Sequence, residues 1–77
     1  MKISIYSTLS CPWCTLAKNY FKGKNIPFED FNVGLDQAKA KEMIDLSGQM
    51  GVPVIKIDDE IIVGFDKARI EKILEKK

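Results

Sequence analysis

Seventy-seven residues leave room for one domain, spanning 1–77, and a chain this short buries only roughly 60% of its unfolded surface on folding. Hydrophobic residues make up 45% and charged residues 30%, with a formal net charge of +1 and both signs interspersed. That balance argues against disorder, a membrane span, and a nucleic-acid or anionic-membrane partner. Two cysteines and no histidine also fall short of a closed structural zinc site within one chain.

Taken in order, Lys2 to Ser7 is β-rich and alternating, which predicts a first strand. Cys11-Pro12-Trp13-Cys14 sits where that strand should give way to a helix, read from Thr15 to Lys22. Gly23 and Asn25 are stop signals, and Pro27 prevents continuation. Pro27 to Val33 predicts a second strand, although its alternation breaks between Phe28 and Phe31. Asp36 is a good N-cap for a second helix with Ala40, Met43, Ile44 and Ser47 on one face, and Gly48 is its natural stop. Val52 to Ile57 reads as a third strand with Pro53 at its start, where proline is tolerated. Asp58-Asp59 turns it into Glu60-Ile61-Ile62-Val63, a hairpin. Asp66 then caps a last helix with Ile70, Ile73 and Leu74 as its apolar positions. The order is β-α-β-α-β-β-α: the first two strands parallel because a helix crosses between them, the last two antiparallel. Tyr6, Leu16, Tyr20, Phe28, Ile55, Ile57 and Ile62 are the expected core, while Thr8 and Lys18 read as surface residues without a role.

The paired cysteines carry the chemistry. A cysteine at a helix N-terminus faces unpaired backbone N–H groups and the positive end of the helix dipole, which favour thiolate. A second cysteine three positions on lies one turn later on the same face, within disulfide reach. A static bridge or two small buried hydrophobes fit a strand-to-helix junction less well than a dithiol that cycles. The chain opens into a strand without a basic-then-apolar leader, so the expected location is cytoplasmic, where disulfides are usually transient and catalytic. Trp13, between the cysteines on the first helical turn, is expected to be partly exposed.

The element order, Cys11-Pro12-Trp13-Cys14, Gly51-Val52-Pro53 before the third strand, and Gly64-Phe65-Asp66 before the last helix together resemble a small dithiol glutaredoxin of the thioredoxin fold. The resemblance covers essentially the whole chain. It implies an α/β fold: a four-stranded mixed sheet ordered 2-1-3-4, with three helices packed on its two faces. It further implies Cys11 as nucleophile and Cys14 as resolving thiol, with Pro12 and Trp13 beside them. Pro53 would be cis and opposite the dithiol, and the Val52 backbone would pair with a substrate segment. Gly64, Phe65 and Asp66, with the helix-cap N–H groups, would complete the substrate wall.

Three positions depart from the glutathione-using pattern. Thr8 stands where a lysine is common, Met50 and Gly51 where an arginine and a threonine often precede Val-Pro, and Phe65 follows Gly64 where a second glycine is usual. Gly64-Phe65 is similar to redoxins that have a glutaredoxin-like sequence but take electrons from thioredoxin reductase. Met50, Trp13 and Phe65 are expected to form an apolar rim suited to a protein partner. Phe65 reads equally as a staple packing towards Ile70. The resulting expectation is a monomeric dithiol–disulfide oxidoreductase with no bound cofactor, reducing client proteins and re-reduced by a thioredoxin reductase. A glutathione-dependent glutaredoxin is the alternative, with glutathione as reductant. An iron–sulfur cluster carrier is disfavoured by Pro12, and an idle interaction module by the placement of the cysteines.

Overall fold

A computed structural model describes residues 2–76. Strands β1 (Ile3–Ser7), β2 (Glu29–Asn32), β3 (Val54–Ile57) and β4 (Glu60–Val63) form one sheet ordered β2-β1-β3-β4. Helices α1 (Pro12–Gly23), α2 (Gln37–Ser47) and α3 (Lys67–Lys76) flank it. β1 pairs parallel to β2 and antiparallel to β3, and β3 pairs antiparallel to β4 through the two-residue turn at Asp58-Asp59. The expected order, directions and sheet are all present.

Local signals set the element ends. Asp36 Oδ1 accepts from the Lys39 N–H at 3.1 Å, and Gly48 closes α2 at φ +74°, a conformation glycine adopts without Cβ strain. Asp66 Oδ1 accepts from the Arg69 N–H at 3.2 Å and starts α3. α1 ends at Gly23, with Asn25 in the left-handed region before Pro27.

The sheet is covered on both faces. Ile3, Ile5, Ile55, Ile57 and Ile62 meet Ala17 and Phe21 of α1 and Ile70 and Ile73 of α3. Tyr6 and Val54 meet Met43 on the α2 side, with Phe31, Val33 and Ile44 packed around them. Phe28 belongs to the first cluster and Phe31 to the second, which is why alternation breaks between them: each anchors β2 to a different layer. Every residue of β1 is buried, including Ser4 and Ser7, because a central strand between two helical layers has no wet face.

Leu16 corrects the sequence reading. It is 47% exposed, because the buried stripe of α1 runs through Cys14, Ala17 and Phe21 and leaves Leu16 to one side. Phe21 carries the packing assigned to it. Phe21→Ala is expected to destabilise by about 3–5 kcal/mol and Leu16→Ala by less than about 1 kcal/mol, measured as the shift in urea midpoint.

Candidate active site

β1 ends at Ser7, and the turn that follows delivers Cys11 to the N-cap of α1, with Pro12 as the first helical residue. Proline is suited there, since its missing N–H would have no helical partner. Cys11 replaces the usual oxygen cap with sulfur: its Sγ accepts from the Cys14 N–H at 3.2 Å. A backbone donor aimed at that sulfur serves a negative charge on it. Cys11 is partly exposed, whereas Cys14, one turn deeper, is fully buried (0% exposed). Both are free thiols.

The same burial pushes the Cys14 thiol up from its ordinary value to about 11, helped by its hydrogen bond with Cys11 and the charge there. A bond from the Thr8 backbone N–H and the positive charge of Lys18 pull the other way. Lys18, on the turn after Cys14, forms an ion pair with Asp30 of β2 at 2.9 Å, and Asp30 also accepts from the Ser7 hydroxyl at 2.8 Å. Thr8 and Lys18 therefore touch the electrostatics of the dithiol, contrary to their reading as surface residues. The i, i+4 spacing of Cys14 and Lys18 was the available signal. Asp30 entered only through the parallel pairing of β2 with β1.

On the other side of Cys11, the Val52 carbonyl lies 3.9 Å from its Sγ. The Val52–Pro53 peptide is cis, as the resemblance implied. The Gly64 N–H donates to the Pro53 carbonyl at 2.7 Å, tying the end of β4 to this segment, and Gly64 itself stands at φ +80°. Trp13, Val52, Pro53, Gly64 and Phe65 line an open, mainly apolar cleft of about 280 Å³ beside the dithiol. Trp13 is 60% exposed, as expected. Phe65 does both things foreseen for it: it walls the cleft and packs inward on the Ile70 cluster, edge-on to Tyr20 at 5.8 Å between centroids. Met50 is 77% exposed but does not line this cleft, so the apolar rim is Trp13 and Phe65 without it. Asp66, directly after Phe65, caps α3 and does not line the cleft. Among the described residues there is no group of three or more His, Cys, Asp or Glu placed to hold a metal ion, and no helix long and apolar enough to cross a membrane.

A thioredoxin-like sheet with two cysteines close together at the start of α1 and a cis-proline beside them defines a small thiol-redox protein. The glutaredoxin family model matches residues 3–62, and the chain belongs to that family. It is 58% identical over 74 residues to an uncharacterized glutaredoxin-like 8.6 kDa protein in the rubredoxin operon of Clostridium pasteurianum, covering 96% of this chain and 99% of that one. Among solved structures it is similar to a mutant of the thioredoxin-like protein BC3987, with TM-score 0.91, 28% identity and coverage of 99% and 97%. It is also similar to the glutaredoxin-like NrdH-redoxin of Escherichia coli, with TM-score 0.81, 27% identity and coverage of 95% of each chain.

Proposed function

We propose that this protein is a dithiol–disulfide oxidoreductase that reduces disulfides of client proteins and is itself re-reduced by a thioredoxin reductase. The Cys11 thiolate attacks one sulfur of a client disulfide, and the other leaves as a thiolate. The Cys14 thiolate then attacks Cys11 Sγ in the mixed disulfide and expels the second client thiolate. The client gains two electrons, and the protein is left with a Cys11–Cys14 disulfide that a reductant must reopen. The partly exposed Cys11 suits the first attack, and the buried Cys14 suits an intramolecular one.

The observation that carries the choice of partner is the cleft wall of Trp13, Val52, Pro53 and Phe65, which offers apolar surface and, among the described residues, no cation in its lining. A protein segment gains from such a wall, whereas a small anionic tripeptide needs charged handles. Thr8, Met50 and Gly51 stand where the glutathione-using pattern has its lysine, arginine and threonine. The likeness to NrdH-redoxin, whose structure is described as the basis for a thioredoxin-like activity profile, supports the same reading. Family membership favours the glutathione-dependent alternative, and the two separate in one measurement.

The oxidised protein is mixed in turn with glutathione and with thioredoxin reductase plus NADPH, and the return of its thiols is timed. A charge-assisted hydrogen bond is worth on the order of 1.5–3 kcal/mol, so losing the handles is expected to leave glutathione more than about tenfold slower than the enzyme. Faster turnover by glutathione would assign the protein to the alternative.

A further inference from the structure

Gln49, in the loop that leaves α2, has no part in the scheme above. Its carboxamide meets both backbone polar groups of Gly51: Oε1 accepts from the Gly51 N–H, and Nε2 donates to the Gly51 carbonyl at 3.0 Å. Nε2 also donates to Ser47 Oγ at 3.3 Å, and the Ser47 hydroxyl donates to the Met43 carbonyl in the last turn of α2 at 2.7 Å. One side-chain amide thus pairs with the N–H and C=O of a single residue, as a neighbouring β-strand would, and is itself held by α2.

The consequence follows from peptide geometry. In a trans peptide the carbonyl of one residue and the N–H of the next point in opposite directions. Anchoring the Gly51 carbonyl on Gln49 therefore turns the Val52 N–H away from the clasp. Val52 is the residue whose carbonyl lies 3.9 Å from Cys11 Sγ. Gly51 is matched to the clasp: a Cβ there would stand 2.7 Å from Gln49 Oε1, so a larger residue displaces the side chain.

We propose that Gln49 is a positioning residue: its clasp on Gly51 sets the rotation of the Gly51–Val52 peptide and so presents the Val52 backbone to an extended segment of a client protein. The inference rests on the protein-disulfide reading and names its contact, a short strand-like pairing in the β-addition manner. It also gives Gly51, a departure from the glutathione-using pattern, a physical role.

The test is steady-state reduction of insulin disulfides with dithiothreitol as terminal reductant, so that no physiological donor enters. Gln49→Ala is expected to raise KM roughly threefold to tenfold with kcat within about twofold, since uniform binding is what the clasp supplies. Gly51→Ala, which evicts an exposed side-chain end, is expected to give the same split and serves if Gln49→Ala does not fold. Because both remove one clasp, the double variant should be no worse than either single one. An unchanged KM in the single variants, or effects that add, overturns the inference while the protein-disulfide reading stands. Wild-type protein inactive on insulin would overturn that reading and the clasp with it.

Discussion

Cys11→Ser is expected to lose disulfide reductase activity by at least about a thousandfold, because a hydroxyl is not ionised where a thiolate is. Cys14→Ser is expected to fail differently. Its Cys11 still attacks, but with a protein client the reaction stops at the mixed disulfide, visible in intact mass as one client chain added per protein. The asymmetry is structural: Cys11 is partly exposed and receives the Cys14 N–H at 3.2 Å, whereas Cys14 is sealed at 0% exposure. An incoming disulfide reaches the first sulfur and not the second. Alkylation at neutral pH should likewise mark Cys11 alone. If Cys14→Ser turned over client disulfides at the wild-type rate, the buried thiol would have no resolving role.

The second large effect lies at alkaline pH. Burial favours the neutral Cys14 thiol in the folded chain, so its proton is released near pH 11 there but near 9 once unfolded. Between those values unfolding releases a proton, and stability falls as pH rises; below about pH 9 the contribution is fully present. Two pH units correspond to about 3 kcal/mol at most. Tyr6, buried and bonded to Glu42, is shifted upward too and adds to the decline. The oxidised protein has no Cys14 thiol to titrate, so its unfolding free energy between pH 9 and 11 should decline less steeply than that of the reduced protein. Equal slopes would show that Cys14 does not titrate as its burial requires.

In the proposed scheme the same group times the resolving step. Below its pKa the thiolate fraction of Cys14 grows about tenfold per pH unit, so expulsion of the client should quicken with pH through the neutral range. Lys18, held by Asp30, pulls the Cys14 thiol down. Lys18→Met keeps the length and removes the charge, and is expected to slow that step roughly threefold to tenfold at pH 7, with the loss constant through the neutral range and shrinking only as pH approaches the Cys14 value near 11. The measurement is stopped-flow release of a client thiol from the preformed mixed disulfide.

Patterns that depend on near neighbours in the chain were legible without a structure. The strand-to-helix junction at Cys11, the caps Asp36, Gly48 and Asp66 and the hairpin at Asp58-Asp59 rest on local propensity, and the strand directions on rules of connection; the sheet order was implied by the family resemblance. What needed the folded chain were relations between distant segments. The sequence places Leu16 in the core and does not single out Phe21, and only the rotation of α1 against β1 and α3 decided that Phe21 is buried and Leu16 is not. Phe28 and Phe31 broke the strand pattern, and only the packing showed that each joins the core on a different face of the sheet. Asp30 reached Lys18 and Ser7 only through parallel pairing, and Met50, although exposed, does not join Trp13 and Phe65 in lining the cleft. Local pattern and spacing by themselves determined that a dithiol sits at a strand-to-helix junction, and the resemblance carried by the motifs implied the glutaredoxin-like fold around it. Tertiary structure decided which sulfur is exposed, what surrounds the other and which residues wall the cleft beside them, because burial and charge at a point are sums over segments far apart in sequence.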